Sequence, residues 1–207
     1  MNNYQMVLLS AKQGGGKSTL QEELKTQAYR HYSGVFLINF ADPIYTLHNF
    51  ILNKMESSYG IEKTTEKDGV LLQLLGTEWG RKVLGPDVWC QILKNHVEKY
   101  ASLYPKSNSL FLVGDCRFRN EFDFFPNALR IRLQCSEEVR KERTRSWREN
   151  TKHQSEIDLD PYEKDNRFDM TISTDPKSKS YVDVNGAAHL ILAQLQKKTW
   201  IEKRKFQ

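Results

Sequence analysis

The chain is predicted to fold as an α/β domain on a mostly parallel sheet, and three observations carry that prediction. Apolar runs of strand length alternate with helix-length amphipathic segments along the 207 residues, as expected for strands covered by helices on both faces. The first run, Met6-Val7-Leu8-Leu9, passes directly into a glycine-rich turn and then a helix. Another, Ser109-Leu-Phe-Leu-Val-Gly114, ends on an acid, Asp115, where such sheets place functional carboxylates.

The remaining elements follow in order. Val35-Phe-Leu-Ile-Asn-Phe40 is apolar almost throughout and predicts a buried strand. Asp42-Pro43 opens a helix, because Asp can cap and Pro suits the first helical position. The polar stretch Ser57–Asp68 predicts a loop. Gly69–Leu84 predicts a helix with Val70, Leu71, Leu74, Leu75 and Trp79 as its apolar positions. Gly76 and Gly80 within it cost roughly 1 kcal/mol each relative to Ala, and such glycines mark close approach of another group. Asp87–Tyr100 predicts a second helix whose core face carries Trp89, Ile92, Leu93, His96 and Val97. Ala128–Gln134 alternates as a strand, and Ser136-Glu-Glu caps a further helix with two acids at the positive end of its dipole. A polar stretch, Glu149–Asn166, separates that helix from a last strand, Phe168–Ser173, and Asn185–Lys203 predicts a C-terminal helix.

Composition narrows the function classes. Hydrophobic residues at 39% and charged residues at 28% allow a packed core in a water-soluble domain. No apolar run approaches the roughly 20 residues of a membrane span, and the N-terminus lacks the features of a secretory signal. Cys90, Cys116 and Cys135 share no metal-ligand spacing, and an odd count argues against a disulfide framework. The expectation is a cytoplasmic protein without a membrane partner. The net charge of +5 suits polyanionic partners, either nucleic acid or phosphate-rich small molecules.

The stretch Ala11-Lys-Gln-Gly-Gly-Gly-Lys-Ser18 is the most specific local signal. Glycines let the backbone curl so that several N–H groups face one anion, and the following helix N-terminus adds its partial positive charge. Gly14, Gly15, Gly16, Lys17, Ser18 and Thr19 form the expected donor-phosphate cradle, with Lys17 on the outer phosphates and Ser18 on Mg²⁺. Ala11 replaces the first glycine of the usual pattern.

A second signal is Asp115 with Arg117 two residues on: an acid to orient Mg²⁺ and a cation for a phosphate on the same sheet edge. The alternative is an Asp–Arg surface pair. A third is the arginine-rich helix with Arg140, Arg143, Arg145 and Arg148. Arginine forks match phosphate oxygens, and phosphoryl transfer depends chiefly on positioning and charge neutralisation. The arginines and the polar stretch after them predict a lid over about residues 140–166 that excludes water. The alternative there is a solvated basic surface. A phosphate monoester acceptor is already nucleophilic at neutral pH and needs cations more than a base. Arg81, Arg117 and the arginine helix supply cations, whereas strand-end acids are few, Asp42 and Asp115; the balance favours a phosphate acceptor.

Several blocks together resemble the phage-type deoxynucleoside monophosphate kinases, a branch of the P-loop nucleotide kinases. They are the phosphate loop, Asn39-Phe-Ala-Asp-Pro43, Leu75-Gly-Thr-Glu-Trp-Gly-Arg-Lys82, Pro86-Asp-Val-Trp89, Gly114-Asp-Cys-Arg-Phe-Arg-Asn-Glu121, His153-Gln-Ser-Glu156 and Phe168-Asp169. The resemblance implies a P-loop kinase fold in one domain, with a central parallel sheet of five strands flanked by helices. It further implies an acceptor-binding helical insert, about residues 43–103, and a lid. It implies Mg²⁺-dependent transfer of the γ-phosphate of ATP to a (deoxy)nucleoside monophosphate. Asp42, Arg81, Trp89, Asp115 and Arg117 would line the acceptor site. Arg143, Arg145 and Arg148 would clamp the phosphates, and Glu156 would anchor the lid or pair with an arginine. Asp42 as a helix cap and Trp89 as ordinary core are the structural alternatives. Ser173 stands where related kinases often carry Asn.

The rival readings are a phosphomevalonate-kinase-like enzyme and a nucleotide-dependent nucleic-acid-binding protein; the kinase reading does not call on nucleic acid. A homodimer is the assembly to test for. Base preference is not encoded legibly, and a phage origin would place the protein in a host cytoplasm.

Overall fold

The computed structural model describes residues 4–62, 67–144, 147 and 154–204, with side chains through residue 198. In chain order the elements are β1 (Tyr4–Ser10), α1 (Lys17–Ala28), β2 (Gly34–Ile38), α2 (Asp42–Tyr59) and α3 (Gly69–Gln73), then a π-helical segment (Leu74–Leu84). They continue with α4 (Val88–Leu103), β3 (Ser109–Val113), α5 (Arg119–Phe124), β4 (Leu129–Gln134), α6 (Glu137–Arg143), α7 (Gln154–Ile157), α8 (Asp160–Lys164), β5 (Met170–Ser173) and α9 (Val184–Arg204). The chain divides into two compact units, residues 1–38 with 100–207, and Asn39–Lys99. The second covers nearly the span expected to form a helical insert.

The first unit holds the sheet. Its five strands run in the order β2-β3-β1-β4-β5, every pair parallel. β1 lies at the centre, with Val7 beside both Leu112 and Leu129. β3 is buried at every position, which is why its sequence shows no polar alternation. Val7, Leu9, Leu110, Leu112, Leu129 and Ile131 join Leu20 and Leu24 of α1 and Ala188 and Ile191 of α9 in one core. On the other side Phe36, Tyr100 and Phe111 pack as an aromatic cluster, with ring centroids 4.1–5.8 Å apart. β2 stops at Ile38, short of the Phe40 that its apolar sequence suggests.

The second unit departs from sequence expectation in three places. α2 continues through Ser57, Ser58 and Tyr59, where a loop is expected. It stops at Gly60, whose left-handed φ of 67° lets its N–H reach Glu56 O while Ile61 N–H reaches Met55 O. The predicted helix over residues 69–84 forms, but from Leu74 it is a π-helix, closed by a bond from Gly85 N–H to Gly80 O five residues back. The buried face of α4 is made by Trp89, Cys90, Leu93 and Val97, whereas Ile92 and His96 face solvent. The buried stripe is narrower than the sequence reading has it and turned toward Cys90.

Trp89 is the organising residue of this unit. Its indole N–H donates to Gly76 O at 2.9 Å, and its ring lies against Gly80. A six-membered ring edge fits there only because residue 80 has no side chain, which accounts for the glycine inside a helix. His48, 1% exposed, accepts the Asp68 N–H through Nε2 at 3.0 Å. Asp68 in turn caps α3 through the N–H groups of Val70 and Leu71.

Candidate active site

In the strand order β2-β3-β1-β4-β5 the connection after β1 leads toward β2 and the connection after β3 leads toward β4. The C-terminal ends of β1 and β3 therefore flank the point where the winding reverses, the usual crevice for ligands in open parallel sheets. Residues 11–18 follow β1, and Asp115 and Arg117 follow β3.

The loop is built on glycine for two separate reasons. Gly14 and Gly16 have φ of 75° and 88°, left-handed values that other residues adopt at a cost. Gly14 is also crowded: a Cβ there would sit 2.7 Å from both Arg140 O and Thr144 Oγ1. Gly15 is needed for volume, since a Cβ on it would lie 2.8 Å from the Ala11 methyl and 3.0 Å from Lys12 O. Ala11 is 6% exposed, and its methyl fills the space Gly15 leaves. The unusual first residue is accommodated by the additional glycine.

Gly16 opens α1 in the left-handed conformation, with no side chain capping the helix and no acid in its first turn. Its first N–H groups lack helical partners, so this end presents donors and positive dipole toward an anion. Lys17 folds back and donates to Ala11 O at 2.6 Å. Burial, with the nearby Arg117 guanidinium, lowers its pKa from 10.5 to about 8. Glu156 and Asp115 oppose that shift, and Arg132 adds to it. The structure thus brings Lys17, Asp115, Arg117 and Glu156 into one electrostatic neighbourhood.

Glu156 joins the parts. One carboxylate oxygen accepts the Gln13 N–H at 2.9 Å and the other accepts from Arg117 at 3.3 Å. Arg117 is also fixed through its backbone: Glu121, 2% exposed, accepts the N–H groups of Arg117 and Phe118 at 2.8 and 3.0 Å. Gly114 leaves room for the Gln21 amide, which donates to Leu112 O at 3.0 Å and packs α1 against the end of β3.

On the β4 side, α6 lies over the loop. Arg140 is buried and donates to Gln13 O at 3.0 Å and Cys135 O at 3.2 Å. Arg143 donates to Thr174 O at 2.8 Å, and its NH1 lies 4.0 Å from where a Gly16 Cβ would be. Thr174 Oγ1 reaches Gly15 O at 3.2 Å. A cleft of about 740 Å³ opens beside these groups, lined in part by Lys12, Arg132, Cys135, Arg140, Asp160 and Asp175.

Three expected site residues belong to the second unit and have neighbours there. The Asp42 carboxylate accepts from Asn39 N and Nδ2 at 2.7 and 3.1 Å, a local turn at the start of α2. Arg81, in the π-helix, donates to Pro86 O at 3.4 Å. Trp89 is 1% exposed, as the core alternative has it. Arg145, Arg148 and His153 lie outside the described residues. The C-terminal part of the expected lid is folded as α7 and α8 and fastened to the loop through Glu156 and Asp160.

Sequence reasoning passed over Lys12, Glu121, Arg132 and Asp160. The available signal was Arg132 itself, since a strand between two others has little room for an unpaired arginine. Among the described residues no three His, Cys, Asp or Glu side chains gather to hold a metal by themselves. Ser18 and Asp115 carry hard oxygen donors of the kind Mg²⁺ takes.

No family model and no curated protein matches the sequence. The fold is similar to that of the tunicamycin resistance protein of Deinococcus radiodurans, at 14% identity over 93% of this chain and 95% of that one, TM-score 0.51. It is equally similar to TT1252 of Thermus thermophilus, at 16% identity over 92% and 97%, TM-score 0.51. A dephospho-CoA kinase of Campylobacter jejuni matches at 17% identity over 93% and 97%, TM-score 0.48. The first two likenesses establish the fold, a five-stranded parallel sheet flanked by helices. Among the described residues no helix is long and apolar enough to cross a membrane.

Proposed function

We propose that the protein is an ATP-dependent kinase whose acceptor is a (deoxy)nucleoside monophosphate. The observation that carries this reading is the half-buried Lys17 at a glycine loop on the sheet's switch point, with Asp115, Arg117 and Glu156 in its electrostatic surroundings. A partly desolvated cation, with its pKa driven down, is stabilised when an anion arrives. A polyphosphate supplies that anion.

In the reaction, the bond between the γ-phosphorus of ATP and its β,γ-bridging oxygen breaks, and one forms to an acceptor oxygen. The products are ADP and, from a monophosphate, the diphosphate. Lys17 and the first N–H groups of α1 hold the donor phosphates, and Arg117 and Arg143 neutralise charge on the moving group. Ser18 and Asp115 would hold Mg²⁺, which would supply further charge neutralisation on the phosphates.

The acceptor class is favoured by what the acids are doing. Glu156 is committed to Arg117 and Gln13 N–H, and Glu121 to two backbone donors. Neither is placed as a base, which a hydroxyl acceptor profits from and a phosphate does not need.

The experiment is ADP release from Mg-ATP against a panel of ribo- and deoxynucleoside monophosphates, with Lys17→Ala as control. Turnover with one or more of them, lost in the variant, is expected. Silence across the panel from a protein that still binds Mg-ATP would rule this acceptor class out.

A further inference from the structure

Arg132 is a buried charge that the reaction does not call on. It stands within β4, its side chain 5% exposed, and all three edges of its guanidinium are used. Nε donates to Glu163 Oε2 at 2.7 Å, one terminal nitrogen to Asp160 Oδ1 at 2.9 Å, and the other to Ser10 Oγ at 2.9 Å. The second Asp160 oxygen accepts from Lys12 Nζ at 2.8 Å, and the second Glu163 oxygen from Gln134 Nε2 at 2.6 Å. Two acids of α8 are thereby shared among two cations and an amide, while the Ser10 hydroxyl accepts from the guanidinium itself. Ser10 and Lys12, on either side of Ala11, are both tied into this cluster.

Stability is a weak reason for such a cluster. Desolvating the ions offsets much of their attraction, and well-packed apolar replacements often do as well. Nor does α8 depend on it for attachment. Tyr162 donates to Asp123 of α5 at 2.6 Å, and Arg167, itself paired with Asp123 at 2.8 Å, lies 3.7 Å over the Tyr162 ring. What a guanidinium adds over an apolar side chain is direction: three bonds in one plane fix three partners at set angles. Those partners are the entrance of the phosphate loop and the helix that follows Glu156.

We propose that Arg132 is a positioning residue for phosphoryl transfer, setting the register between the start of the phosphate loop and the α7–α8 segment. It acts through Ser10 directly and through Asp160 on Lys12, and so keeps the Gln13 N–H and Arg117 within reach of the same Glu156 carboxylate. The inference rests on the kinase reading above.

The test compares wild type with Arg132→Met, Arg132→Lys and Asp160→Asn. It measures kcat, KM for Mg-ATP and acceptor, Mg-ATP affinity and thermal stability. Arg132→Met is expected to stay folded and to lose at least tenfold in kcat, with KM changed less. Arg132→Lys keeps the charge without the fork; it is expected to leave kcat low. Asp160→Asn is expected to lose kcat likewise. A folded Arg132→Met with wild-type kcat overturns the proposal, as does a lowered Tm with kinetics per folded molecule intact. If Arg132→Met does not fold, Arg132→Lys and Asp160→Asn carry the test, and wild-type kcat in both overturns it. Failure of wild type to use any monophosphate counts against the kinase reading instead. Mg-ATP affinity then decides the present proposal, and equal affinity in wild type, Arg132→Met and Asp160→Asn overturns it.

Discussion

The rim of Trp89 occupies the space in which a side chain at residue 80 would begin: a Cβ built on Gly80 falls 2.3 Å from Cζ2 and 2.8 Å from Cε2. The ring cannot retreat easily, because it is enclosed and its N–H is held by Gly76 O. Gly80→Ala is therefore expected to cost ~1–3 kcal/mol through overpacking, more than the roughly 1 kcal/mol alanine gains over glycine in a helix. At about 2–4 °C per kcal/mol for a chain of this size, calorimetry should show a lower Tm. A Tm at or above that of wild type would mean that the ring moves aside.

Lys17 is expected to show a conflict between function and stability. Its pKa of about 8, against 10.5 for an exposed lysine, means the folded protein holds the charged form at a cost of ~3 kcal/mol. Because the folded value is the lower one, that cost is full below pH 8 and fades as pH rises toward 10.5. Lys17→Met should abolish transfer yet raise the Tm of the nucleotide-free protein at pH 7, and the gain should shrink by pH 10. A variant less stable than wild type at pH 7 would show that the lysine's bond to Ala11 O outweighs its desolvation.

The same group predicts proton uptake on nucleotide binding. Phosphates beside Lys17 favour its charged form, so a site that is half deprotonated near pH 8 must take up a proton as Mg-ATP enters. Affinity should fall as pH rises through about 8, approaching tenfold per unit above it. Titration calorimetry in buffers of different ionisation enthalpy measures the proton directly. Affinity that stays flat from pH 7 to 9.5 would separate Lys17 from the phosphates.

Ala11 and Gly15 should behave as a coupled pair. Gly15→Ala places a methyl 2.8 Å from that of Ala11, so a loss of Mg-ATP affinity is expected. Adding Ala11→Gly should recover part of it, the remainder reflecting Lys12 O at 3.0 Å. A double-mutant cycle measures the coupling; strict additivity would show that the two methyls do not compete.

The parallel sheet was legible because strands buried on both faces leave uninterrupted apolar runs, Ser109–Val113 being the clearest, and because Gly14 and Gly16 mark a turn that other residues resist. The end of α2 was misread because Ser57 and Ser58 look like a loop, although Gly60 was the stop signal. A π-helix shifts the repeat away from the 3.6 residues by which helices are sought, so Leu74–Leu84 gave only its glycines as a hint. The Arg132 cluster was legible only as an arginine inside a strand. Its members, residues 10, 12, 132, 160 and 163, meet only after the sheet has assembled, and no local pattern links them.

The loop's departure from the usual glycine pattern has a meaning for how such loops are recognised. Between residues 11 and 15 there is room for one methyl group, and here the first position holds it. What the fold constrains is a total volume shared by two positions, not a letter at either. A search that demands glycine at the first position rejects this chain, whereas one that counts methyl groups across the pair accepts it.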